Sequence, residues 1–270
     1  MKKLSILLFP ILLFFGCSEI APDLGVGTVN PVPVGTIQKK VLIEKFTGVR
    51  CVNCPAGAKA IKEMQEIHGE NLIAVSIHTS AQFATPLPES TIDFRIDEGA
   101  TLLSFLGTPL GFPSGVVDRK LFDGEPELLL GKASWAGYID QEMSREAEVD
   151  IVLDGGINDS GRMNVTADIT FLEADPSIQY KFTLMITEDN IVNAQEDVDG
   201  IITDYVHMHT LRDIVTPATG QDIASPGTIN LTFEDYAIPE DWDRSELNVI
   251  AIVHSSNTEK RVLQVEQFEF

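Results

Sequence analysis

Five consecutive residues, Cys51-Val52-Asn53-Cys54-Pro55, are the stretch of this sequence best suited to covalent chemistry. Two thiols at that spacing can close an intramolecular disulfide if the segment turns into a helix. Cys51 would then face the helix's unpaired N–H groups and the positive end of its dipole. Both favour a thiolate, the form that exchanges disulfides. Pro55 suits the first helical turn, where a missing N–H costs nothing. A structural disulfide is the competing reading, because an exported chain can leave such a pair oxidised. Zinc is disfavoured, since it would need a second Cys or His pair at matching spacing and none is present. Arg50 either lowers the Cys51 pKa by proximity or faces solvent.

Other polar candidates are weaker. Phe112-Pro113 leads into the apolar Gly115-Val116-Val117, the kind of pre-strand turn that hosts a cis proline. His207 and His209 alternate along a possible strand and would face one side. No third ligand is identifiable, so packing with Arg212 is expected rather than a metal. Asp197-Val198-Asp199-Gly200 is densely acidic but lacks the ligand spacing of a calcium loop. No metal and no cofactor is expected. Asn164 and Asn230 open glycosylation-like triplets in mid-strand, where they carry little meaning.

These residues need a frame. Residues 41–46 and 72–78 read as buried strands, with Val116-Val117 at the centre of a third. Residues 56–68 read as a helix with Ala60, Ile61, Met64 and Ile67 on one face. Residues 126–147 form a second helical stretch with Leu129, Leu130, Trp135, Ile139 and Met143 as core. Past residue 148 the period changes to two. Residues 163–172, 179–187, 228–233, 247–254 and 262–270 fit strands, with turns expected at Asp154-Gly155-Gly156 and Asp175-Pro176-Ser177. Several strands without helical period between them point to an antiparallel sandwich. An α/β domain over 39–147 and an all-β domain over 148–270 follow.

The start of the chain reads as an address. Lys2 and Lys3 precede an apolar run too short to span a bilayer, ending at Gly16-Cys17. Phe14-Phe15-Gly16-Cys17 is similar to a bacterial lipobox. Residues 1–16 would be a lipoprotein signal, Cys17 the lipidated residue, and the Pro- and Gly-containing 17–38 a tether. The formal net charge is −22, with 24 acidic and 6 basic residues from Glu148 onward. That sign argues against nucleic acid as a partner.

Glu44-Lys45-Phe46-Thr47-Gly48, Cys51 to Pro55, Phe112 to Arg119 and His207 to Arg212 together resemble a Bacteroidetes lipoprotein family. That family is named for a 28-kilodalton outer-membrane protein. The likeness runs from about Val41 to the C-terminus. It implies a thioredoxin-like α/β domain followed by an immunoglobulin-like antiparallel β-sandwich, on a lipoprotein of the outer membrane. By the same likeness Cys51 would attack, Cys54 would resolve, and Pro113, cis after Phe112, would dock a partner strand. Glu44 would take the place of the buried carboxylate that exchanges protons with the resolving cysteine. The partners implied are exported or cell-envelope proteins. The alternative is a non-enzymatic binding or assembly module in which Cys51–Cys54 is structural.

Overall fold

β1 (Val41–Thr47) and β2 (Leu72–His78) are buried at every residue, as strands covered on both faces must be. They pair in parallel, Val41 opposite Leu72 through Thr47 opposite His78. A parallel pair needs a crossover, and α1 (Cys54–His68) supplies it. This computed structural model describes residues 37–224, 227–256 and 259–270. The expected signal, Cys17 and all of the tether but residues 37 and 38 lie outside them. α1 buries Ile61 and Met64 as its period predicts. Ile67, expected on the same face, is 77% exposed, because the buried stripe ends a turn earlier.

α2 (Asp97–Leu106) was not apparent from the hydrophobic period. β3 (Ser114–Val117) runs antiparallel to β1 and pairs with β4 (Leu130–Gly131). That pairing corrects the helical reading of 126–147. Leu130 is buried as expected but in a strand, and only α3 (Trp135–Met143) is α-helical. Trp135 and Ile139 are fully buried against β1 and α1 residues.

The remaining strands are β5 (Val149–Ile157), β6 (Arg162–Phe171), β7 (Tyr180–Glu188), β8 (Ile191–Asp197), β9 (Gly200–His207), β10 (Thr210–Ile214), β11 (Gln221–Ile223), β12 (Thr228–Ala237), β13 (Leu247–Ser255) and β14 (Val262–Glu269). One mixed sheet runs β14-β13-β7-β10-β2-β1-β3-β4, with β11 on β7. A three-stranded sheet, β12-β6-β5, and the β8–β9 hairpin complete the set. Val149, Val165 and Ile169 of the small sheet share one core with Phe182, Leu184 and Val249 of the large one.

The expected division at residue 148 falls between α3 and β5, and the large sheet is continuous across it. The join is β10 against β2, at Thr210 and Ser76, reinforced by the Ser76 N–H donating to the His209 carbonyl at 2.7 Å. Gly155 and Gly156, expected in a turn, lie inside β5 opposite Val165 and Asn164. Asp175-Pro176-Ser177 is a turn, closed by Ile178 N–H to the Asp175 carbonyl at 3.0 Å. Among the described residues no helix is long and apolar enough to cross a membrane.

Candidate functional site

β1 delivers the chain to Gly48, where a side chain would be impossible: a Cβ there would lie 2.2 Å from the Phe83 carbonyl oxygen. The chain then turns through Cys51, whose N–H donates to the Gly48 carbonyl at 3.1 Å, and enters α1 at Cys54. Pro55 occupies the first helical turn. The two sulfurs are bonded, 2.10 Å apart, with the Cα atoms separated by 5.3 Å.

Both cysteines are only 2% exposed, whereas Val52 and Asn53 between them face solvent. Two flaps cover the loop. From one side the Arg50 N–H donates to Phe83 O at 2.7 Å. The Arg50 guanidinium donates to the Thr85 and Pro86 carbonyls at 2.8 and 2.6 Å. Arg50, half-buried, spends its guanidinium on these carbonyls and ties down the segment after β2. From the other side comes β8. Its Glu196 N–H donates to Val49 O at 2.7 Å, and the Gln195 amide donates to Cys51 O at 3.2 Å. Gln195 is the residue local sequence could not nominate, being 144 positions from its acceptor.

Phe112-Pro113 is cis. Pro113 lies on α1, so that a Cβ on Gly57 would come within 2.8 Å of its Cγ. Phe112 packs on Phe83 with ring centroids 5.2 Å apart. The structure thus brings Pro113 to the helix that carries Cys54.

Glu44 is elsewhere. Strand alternation turns it away from α1, and it is fully buried against Arg119, whose Nε and Nη2 donate to its two oxygens at 2.9 and 2.6 Å. Arg119 reaches it because Asp118 and Arg119 both adopt left-handed φ, 46° and 48°, at the end of β3. Asp118 also accepts from Leu42 N–H at 2.8 Å and lies 2.7 Å from the Lys39 ammonium. Burial nevertheless raises the Asp118 pKa more than Lys39 lowers it. The carboxylate expected to serve Cys54 is instead half of a structural ion pair.

Lys45 faces the cysteines. With Thr47, Ser76, His78, Gln195, Tyr205 and His207 it shares a small cavity with Cys54. It is 6% exposed, and burial alone lowers its pKa to about 8. The His78 and His207 rings lie 5.8 Å apart and both pack on Phe94. Burial, with Lys45 nearby, lowers His207 to about 4 and His78 well below its ordinary value. Among the described residues neither ring nitrogen of His78 has a hydrogen-bond partner, nor does His207 Nε2. His209 does not share that face: its φ of 56° turns it toward Asp189, at 3.1 Å, and Gln65. Arg212 lies 3.4 Å from Glu188 and stacks on Trp242, so its partners are these and not the two histidines it was expected to pack with. Asp197 and Gly200 close the β8–β9 hairpin. Among the described residues no cluster suits a metal ion.

Fold and site define a mixed α/β chain with additional β-sheets, carrying a covered Cys-X-X-Cys disulfide at a helix start. The chain belongs to the family described as Outer membrane protein Omp28, which matches residues 108–270. That membership makes it an outer-membrane protein. The matched span contains Phe112 to Arg119 and His207 to Arg212 but begins after the cysteines.

Among solved structures, HBP35 of Porphyromonas gingivalis is 23% identical with a TM-score of 0.67, covering 87% of this chain and 76% of that one. A protein of Agrobacterium tumefaciens is 11% identical with a TM-score of 0.55, covering 86% and 95%. At these identities the likeness is one of fold. A domain of the outer membrane lipoprotein Omp28 from Porphyromonas gingivalis is 15% identical over 46% of this chain and 88% of that one, with a TM-score of 0.32. No curated protein matches the sequence significantly.

Proposed function

We propose that this protein is a lipid-anchored outer-membrane module for binding or assembly, non-enzymatic, with Cys51–Cys54 as a structural disulfide. The observation that carries the reading is the covering of both cysteines beneath two flaps, each hydrogen-bonded to the cysteine loop. A thiolate must reach a sulfur in line to exchange, so a covered disulfide is inert until the flaps open. Cys17 would carry the lipid and residues 17–38 would span the gap to the membrane. The partners would be exported or cell-envelope proteins; nucleic acid is disfavoured by the charge of −22.

We read the frame as thioredoxin-like, supported by parallel β1 and β2, antiparallel β3, the cysteines at the head of α1 and Pro113 before β3. The three-stranded sheet facing β7, β13 and β14 supports an immunoglobulin-like sandwich. A second reading, thiol–disulfide exchange with exported proteins, is favoured by the contact of Pro113 with α1 beside Cys54.

Equilibrating the folded protein with glutathione buffers and trapping free thiols by alkylation separates the two. A structural pair stays oxidised, with a potential below roughly −300 mV and reduction no faster than global unfolding. A potential near −200 mV, with rapid native-state reduction, would overturn the structural reading in favour of exchange.

A further inference from the structure

A cavity of about 630 Å³ lies between α1 and β9, next to the small cavity behind Cys54. That volume is within the usual range of roughly 300–1,000 Å³ for small-ligand sites. Its apolar walls include Pro55, Ile61, Val206 and Met208. Val206 and Met208 are 47% and 40% exposed, a cost that a covering apolar group would remove.

Its charges are all of one sign. In a chain with 41 acidic and 19 basic residues, the cavity is lined by Lys45, Lys59 and Lys62 and by no carboxylate. Lys59 and Lys62 project from α1. Lys45, buried on β1, has no hydrogen bond or counter-charge among the described residues. A buried ammonium is normally paired.

We propose that this cavity binds a small organic carboxylate with an apolar body, its anionic head meeting Lys45. A cationic ligand would face three ammonium groups, and a neutral apolar one would leave Lys45 unanswered. The inference goes beyond the binding-module reading and survives its failure, because ligand preference is measured with Cys51–Cys54 left oxidised.

Titration calorimetry of the full chain with decanoate, decanol and decyltrimethylammonium tests it. Decanoate is expected to bind at least tenfold more tightly than decanol, and the cation not at all. Lys45→Met should abolish the preference while the protein stays folded. Binding of decanoate should also weaken between pH 7 and pH 10 as Lys45 deprotonates. The charged and titratable groups around Lys45 and the cavity are Lys59, with Glu63 beside it, and Lys62 of α1, His78 of β2, Tyr205 and His207 of β9, and His209, which lies 3.1 Å from Asp189. Burial keeps His78 and His207 neutral at pH 7. Equal affinity for decanoate and decanol, absence of binding, or a preference that persists in Lys45→Met would each overturn the proposal.

Discussion

Glu44 and Lys45 are neighbours on β1, both buried, and the protein treats them in opposite ways. Glu44 receives two hydrogen bonds from one guanidinium, held in place by a turn with two left-handed residues. Lys45 receives nothing and sits over a cavity. A buried ion pair stabilises the fold mainly against loss of one partner, and here Arg119 Nη1 is left without a hydrogen-bond partner among the described residues. A charge buried without a protein partner costs stability unless water or a ligand in the adjoining cavity answers it. Much of the sequence signature on the β3 side, Val116 to Arg119, is thus architecture, whereas the α1 side of the same strand is where a ligand would be felt.

Breaking the paired side should have the largest effect. Arg119→Met strands the Glu44 carboxylate in the core and is expected to cost about 3–5 kcal/mol in urea unfolding. Replacing both partners, Glu44→Leu with Arg119→Met, should recover most of that loss, since no uncompensated charge remains. A cost below about 1 kcal/mol for the single variant would mean that Glu44 is solvated and the contrast with Lys45 is empty.

The unpaired side should respond with the opposite sign. Burial lowers Lys45 from 10.5 to about 8, so the unfolded chain binds the extra proton between those values. Stability therefore rises with pH through that window, and the penalty is fully present below pH 8. Lys45→Met should stabilise the protein by about 2–3 kcal/mol at pH 7, an advantage that shrinks toward pH 10.5. A destabilising Lys45→Met, measured by the same urea titration, would show that the ammonium is paired after all.

How much of this was legible in the sequence follows from which forces are local. β1 and β2 were readable because a strand buried on both faces is a continuous apolar run. The cysteine pair, the helix it opens and Pro113 are short-range patterns. The Gly155-Gly156 pair misled, because turn chemistry and close packing both select glycine: a Cβ on Gly155 would lie 2.6 Å from the Asn164 carbonyl. Leu130 fits a helical period as well as a strand, and only its pairing with Gly115 decides. The covering of the cysteines was out of reach, since Gln195 finds Cys51 through tertiary packing alone. Lys45 was within reach: with Ile43 and Thr47 it occupies alternate positions of β1, which sends Glu44 to the other face.

The smallest expected effect tests the same contrast at the surface. Lys59 shares the cavity with Lys45 but is 77% exposed, with Glu63 one helical turn on at 3.7 Å. An exposed pair with lysine on the N-terminal side is the weaker orientation, and screening reduces it further. Lys59→Ala should change stability by less than about 0.5 kcal/mol in either direction. Because the fold is indifferent to this residue, a loss of decanoate affinity in Lys59→Ala would be a pure binding effect, free of the stability change that accompanies Lys45→Met. A threefold or greater loss of decanoate affinity with unchanged decanol affinity would place the anion's charge within reach of α1 as well as β1. A larger stability change would mean that Lys59 supports the helix, whereas unchanged decanoate affinity would confine the anion to Lys45.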